Sequence, residues 1–319
     1  MVYQKEEKDK LKEVTDKLEQ GVKEVFDSER FKECLRVMSK FTDYSINNQI
    51  LIAMQKPYAS LVAGYKAWQT KFGRYVKKGE KGIKIIAPSP FKIKKDVTTL
   101  DEDGKSVTEK KDIQIMSYKV ITVFDVSQTE GKELPSIQKA SVLTGEVENF
   151  DKIFEAIKTV SPVPISIENI GAVEGVKGYY SHKEKRIVIN EGLSQAHTLK
   201  TAIHEVTHSK LHDINLDLPK EERPKRDKFT EEVQAESVAF VVCSSIGLDT
   251  SDYSFGYIAG WSSGKETKEL KNSLEIIRTT ANEIINGINE LTKAEEKTND
   301  NSSENEVKKS KSKSKDLSL

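Results

Sequence analysis

Residues 196–212 read Ala196-His197-Thr198-Leu199-Lys200-Thr201-Ala202-Ile203-His204-Glu205-Val206-Thr207-His208-Ser209-Lys210-Leu211-His212. Leu199, Ala202, Ile203 and Val206 recur at helical spacing and predict a helix with one apolar face. His204 and His208 are four residues apart, so one turn of that helix stacks both imidazoles on one side, where they can grip a single ion. Glu205 falls beside them, free to handle a proton without ligating. The arrangement H-E-x-x-H points to metal-assisted hydrolysis. Two neutral imidazoles hold zinc, and the carboxylate takes a proton from the attacking water and returns it to the leaving amine. His212, one turn further on, reads as a surface residue, with an orienting role or a substrate contact as alternatives. His182 and His197 read as structural or exposed.

A catalytic zinc takes three protein ligands and keeps one position open. The stretch Phe229-Thr230-Glu231-Glu232-Val233-Gln234-Ala235-Glu236-Ser237-Val238-Ala239-Phe240 predicts a second helix. Glu232 and Glu236 share one of its faces, flanked by apolar residues. A carboxylate near the core needs a cation or a metal, because burying it alone costs several kcal/mol. Either register supplies the missing ligand. The order H-E-x-x-H followed by E-x-x-x-E resembles the gluzincin pattern, which implies Glu232 as ligand and Glu236 as the acid that orients a zinc-bound histidine.

Working outward, Leu11 to Phe26 and Phe31 to Phe41 predict one or two amphipathic helices, and Ile46 to Ile52 a short one ended by Pro57. Ile83 to Pro88 and Ser117 to Val126 read as paired strands, with charged residues 96–113 between them as a loop or hairpin tip around Asp103-Gly104. Phe150 to Ile157 predicts a helix, Ile165 and Ile167 a strand, and residues 178–182 and 186–190 a hairpin. A helix from about 266 to 291 follows. The fold class is α+β. Expected boundaries are a domain over 1–127, a linker over 128–146, a second domain over 147–293, and a charged tail over 294–319 with too little to bury for stable structure.

Equal counts of 51 basic and 51 acidic residues hide a local asymmetry. Residues 41–95 hold eleven Lys and Arg against two acids, a net +9. Tyr44, Trp68 and other aromatics interleave with Arg74, Lys77, Lys78 and Lys81, and Asn47 and Asn48 offer amides to bases or sugars. Phosphate-neutralising cations plus stacking rings suit single-stranded DNA. Some of those aromatics must also build a core, and the amides can equally cross-link a turn. The two cysteines are far apart, which fits a reducing cytoplasm. The charged first residues predict no secretory signal, and no run of about 18 apolar residues predicts a membrane span.

Several boxes occur in order. They are Tyr44-Ser45-Ile46-Asn47-Asn48, Gln55-Lys56-Pro57, Gly64-Tyr65-Lys66-Ala67-Trp68 and Lys77-Lys78-Gly79-Glu80-Lys81-Gly82. Together they resemble the N-terminal domain of ArdC-type antirestriction proteins. The resemblance implies a single-stranded-DNA-binding domain followed by a zincin-like metallopeptidase domain, on plasmids or conjugative elements, protecting incoming DNA from host restriction. It extends over about residues 1–265, and the second half is more distantly similar to the ImmA/IrrE class. A zincin-like domain implies an edge strand lining the cleft, for which Arg186 to Asn190 is the candidate, and Tyr179 or Tyr180 as an oxyanion donor. The protein substrate stays open. So do two alternatives: an ImmA-like protease that cleaves a repressor, and a non-enzymatic DNA shield whose zinc is structural.

Overall fold

The computed structural model describes residues 2–100, 106–134, 147–171, 176–248, 250 and 255–313. The architecture is α+β, and the chain divides into two compact units, Met1–Pro135 and Ser136–Leu319.

The first unit opens with helices α1 (Val2–Glu24), α2 (Ser28–Lys40) and α3 (Ile46–Gln55). Asp27 caps α2 by accepting from the Glu29 amide at 3.3 Å. Strand β1 (Val62–Gly64) leads into α4 (Tyr65–Phe72), then β2 (Arg74–Val76) and β3 (Ile83–Pro88). Strands β4 (Phe91–Leu100) and β5 (Ser106–Ile115) follow, then β6 (Tyr118–Asp125) and β7 (Thr129–Gly131). The central sheet is antiparallel in the order β1-β6-β3. The charged segment over 96–113 forms most of a long β4–β5 hairpin rather than a loop, paired in register from Phe91↔Ile115 to Leu100↔Ser106. Alternating Val, Thr and Ile give its arms strand character despite their charge. Its Asp103-Gly104 turn lies outside the described residues.

Two side-chain amides finish the free edge of β3. Asn48 exchanges both hydrogen bonds with the backbone of Ile86, at 2.8 and 2.9 Å. Gln55 does the same with Lys84, at 2.9 Å each way. Helix α3 therefore covers an edge that would otherwise present unpaired amides. Gln49 ties the same helix to Phe41, donating to its carbonyl at 2.8 Å.

β7 pairs with β2, Arg74↔Gly131 to Val76↔Thr129. Residues 129–131 thus belong to the first unit and not to a linker. The pairing accounts for this, because β2 would otherwise lack its ladder partner. Residues 135–146 of the expected linker lie outside the described residues.

The second unit has α5 (Phe150–Val160), β8 (Ile165–Glu168), β9 (Gly178–Ser181), β10 (Arg186–Asn190), α6 (Gln195–Leu211), α7 (Lys228–Ser245), α8 (Ile258–Ser262) and α9 (Thr267–Lys313). Its sheet has the order β8-β10-β9, with β8 parallel and β9 antiparallel to β10. Ile187, Val188 and Ile189 are buried because β10 is central. Leu199, Ala202, Ile203 and Val206 of α6 are likewise buried, as are Val233, Val238 and Phe240 of α7. Each such large aliphatic or aromatic side chain contributes roughly 1.5–3 kcal/mol. This packing holds α6 against α7, β9 and β10. Helix α9 continues to Lys313, through most of the segment expected to lack structure. Lys, Glu and Ala favour helix on their own, which the reading by burial alone did not weigh. Residues 314–319 lie outside the described residues.

Candidate metal centre and nucleic-acid face

Helix α6 starts where Ser194 accepts from the His197 amide at 3.3 Å, and α7 where Asp227 accepts from Phe229 and Thr230 at 3.1 and 3.3 Å. These caps fix where each helix begins.

His204 Nε2 lies 3.1 Å from His208 Nε2. Glu232 places one carboxylate oxygen 3.5 Å from His204 Nε2 and the other 3.5 Å from His208 Nε2. Three ligand atoms each about 2.0–2.2 Å from one tetrahedral ion stand roughly 3.4 Å apart. His204, His208 and Glu232 are thus a group able to hold a metal ion. Imidazole and carboxylate donors suit a first-row divalent ion. Glu236 does not join the three. Its carboxylate lies 3.4 Å from Nδ1 of His204, on the far side of that ring.

The charges follow from this crowding. Burial opposes a charge on His204, yet Glu232 and Glu236, with Glu205 nearby, raise it to about 9. Burial and the neighbouring His204 push His208 down. The hydrogen bond from His204 lowers Glu232. Burial raises Glu205, against the pull of His204 and of the Tyr180 backbone amide. A carboxylate with a raised pKa is the kind that accepts and returns a proton.

Strand β10 is not the edge strand that the zincin resemblance implied. β8 and β9 flank it, because its three consecutive apolar residues suit burial on both faces. Strand β9 pairs only with β10 among the described residues, and like β10 it packs against α6. Gly178 permits that approach. A Cβ there would stand 2.8 Å from the Val188 carbonyl and 2.7 Å from Thr201.

One of the two candidate tyrosines already has its hydroxyl engaged elsewhere. The Tyr180 hydroxyl donates to Asp213 at 2.6 Å, and Tyr179 is exposed. Asp213 also accepts from Lys185 at 2.6 Å and lies 3.5 Å from His182, which draws its pKa down to about 2. Tyr257 and Gln234 have no counterpart among the expected site residues, and His212 is expected at the surface. Tyr257 packs at a tilt against Phe229, and burial with the charges of Glu236 and Glu232 pushes its hydroxyl up to about 12. Gln234 and His212 meet behind His208, with His212 8% exposed rather than on the surface. No spacing rule links 234 and 257 to the motif, whereas 212 lies one helical turn beyond His208.

In the first unit, Trp68 is 0% exposed and its indole donates to the Phe124 carbonyl at 2.9 Å, so it offers no face to a base. Asn48 is engaged with β3 as described. Arg74 is turned inward to Thr129 and the Lys132 carbonyl, where its guanidinium closes the β2–β7 ladder. Tyr44 is partly buried edge-on against Phe41, and Asn47 is partly exposed. Lys77 is exposed and donates to the Ser127 carbonyl at 2.9 Å. Lys78 and Lys81 are exposed, on a loop held at its base by Gln128, which donates to Glu80 and the Lys81 carbonyl at 2.8 Å each. Among the described residues of this unit the exposed rings are Tyr58 at 75%, Tyr65, Tyr75, Phe91 and Tyr118, which composition does not separate from core aromatics.

Residues 4–124 match the family described as the N-terminal domain of anti-restriction factor ArdC. The first unit is an ArdC N-terminal domain. The three-ligand cluster lies beyond the ArdC match, in the second unit. An uncharacterized protein of Bacillus anthracis is 28% identical over 310 residues, covering 88% of this chain and 51% of that one. The chain thus spans about half the length of that relative. Two crystal structures of the antirestriction protein ArdC from plasmid R388 are similar. The metal-free one has 24% identity and a TM-score of 0.43, and the Mn(II)-bound one 22% and 0.41. Each comparison covers 77% of this chain and 83% of the ArdC chain.

Proposed function

We propose that this chain is an antirestriction protein of a plasmid or conjugative element. Its ArdC N-terminal domain binds single-stranded DNA, and its second unit is a zincin-like, metal-dependent peptidase. The observation that carries the peptidase reading is the triangle of His204, His208 and Glu232 with Glu205 adjoining it. The residues fit zinc, with His204, His208 and Glu232 as the holders and Glu236 as the partner of His204. A bound divalent ion supplies a Lewis acid that brings the pKa of water from about 15.7 toward 7. Glu205 takes the proton of the attacking water on its carboxylate and passes it to the leaving amine. Strand β9, rather than β10, pairs with an extended peptide through its outer edge. Tyr257, held protonated by burial and by Glu236 and Glu232, takes the donor role expected of Tyr179 or Tyr180.

The test is Glu205→Gln. It retains the bound metal and loses casein-digesting activity by about 10²–10⁴-fold, the usual contribution of a general base. Digestion at the wild-type rate overturns the role of Glu205.

A further inference from the structure

His208 has different neighbours at its two ring nitrogens. Nε2 faces His204 and Glu232. Nδ1 lies 2.9 Å from Nδ1 of His212, and His212 Nε2 lies 2.9 Å from the amide oxygen of Gln234. His212 is 8% exposed and Gln234 7%, so water does not freely replace either contact.

We propose that Gln234 and His212 are positioning residues, forming a neutral relay that fixes His208 in the tautomer whose Nε2 lone pair is free for the ion. The proposal rests on the metal reading of the site. The direction comes from counting donors. An amide oxygen only accepts, so His212 Nε2 carries the hydrogen. A neutral imidazole has one donor and one acceptor, so His212 Nδ1 accepts. His208 Nδ1 therefore donates, and its Nε2 bears the lone pair. Were the Gln234 amide rotated by half a turn, every step would reverse, and His208 would present a hydrogen to the ion. One buried amide on α7 thus decides whether a side chain on α6 can ligate.

His204 is oriented differently. Its Nδ1 faces the Glu236 carboxylate at 3.4 Å, which also only accepts. One ligand is therefore held by a charged acceptor and the other by an uncharged chain. With Glu232 and Glu236 already offsetting a divalent ion, a neutral relay adds no further negative charge.

Conservative variants separate this role from packing. Gln234→Glu keeps an acceptor in place, while Gln234→Met keeps the volume and removes it. Packing alone makes the buried charge of Gln234→Glu the worse change. The relay predicts the opposite order for Zn(II) affinity, measured by chelator competition on the full chain. Gln234→Met weakens it by about 10–100-fold, as loss of an outer-sphere partner does, and Gln234→Glu stays near wild type. In the same way His212→Asn, whose amide oxygen can take the place of Nδ1, restores binding that His212→Leu loses. Ring-nitrogen NMR of the metal-free wild type reads the tautomer directly, with the hydrogen of His208 on Nδ1. A hydrogen on Nε2, or unchanged Zn(II) affinity in both Gln234→Met and His212→Leu, overturns the relay. Failure of the wild type to take up Zn(II) overturns the metal reading instead, and the NMR result then judges the relay by itself.

Discussion

Single side chains in this protein do work that their neighbours in sequence do not announce. Asp213 gathers the Tyr180 hydroxyl, the Lys185 ammonium and His182 around one carboxylate, tying β9 and the turn after it to the end of α6. Its pKa falls from the ordinary value of about 3.9 to about 2 in the fold. A lowered carboxylate pKa means that the unfolded chain binds the proton more readily. The stabilisation is present above about pH 4 and is lost as pH falls toward 2. Thermal unfolding of wild type and Asp213→Asn should therefore converge across that window and stay separate, with wild type higher, near neutral pH. A constant difference down to pH 2 contradicts this. His204, His208 and Glu205 could be read from sequence because their spacing carries the chemistry. Gln234 could not, because its role exists only where α7 crosses behind His208.

At the level of elements, periodicity carried most of the secondary structure, and the failures share a cause. The assignment of β10 as the edge strand came from the zincin resemblance and failed because strand order is a long-range property that no local pattern carries. Trp68, Asn48 and Arg74 share a box-rich segment with Lys78 and Lys81. Composition cannot tell an aromatic in the core from one facing solvent, nor an amide completing a sheet edge from one reaching for a base. The β2–β3 loop is the sharpest element-scale case. It is pinned by Gln128 from beneath while Lys78 and Lys81 stay exposed. Replacing both by Gln should weaken binding of an oligothymidylate and lower the slope of log K against log salt by about 1.4, at about 0.7 per contact with a single strand. An unchanged slope removes the loop from the DNA interface. Trp68→Phe should leave the slope as it is, since the ring is enclosed.

On the scale of the whole molecule, the chain joins an ArdC N-terminal domain to a second unit whose two helices bring two histidines and two glutamates together. The α+β class and the existence of two parts were legible because the basic, aromatic half and the H-E-x-x-H half differ so plainly in composition. Which glutamate faces both histidines was not legible from helix spacing, and only the gluzincin resemblance pointed to Glu232. Glu232 and Glu236 occupy one helix face, and the crossing of α6 and α7 distinguishes them. The account stands or falls on a metal held by that crossing. Metal content of the full chain, by elemental analysis after dialysis against trace Zn(II), tests it most directly. One equivalent per chain in the wild type and in Glu236→Gln under saturating metal, with none in His204→Ala or Glu232→Ala, is the predicted result. A metal-free wild type, or full loading in His204→Ala, contradicts it.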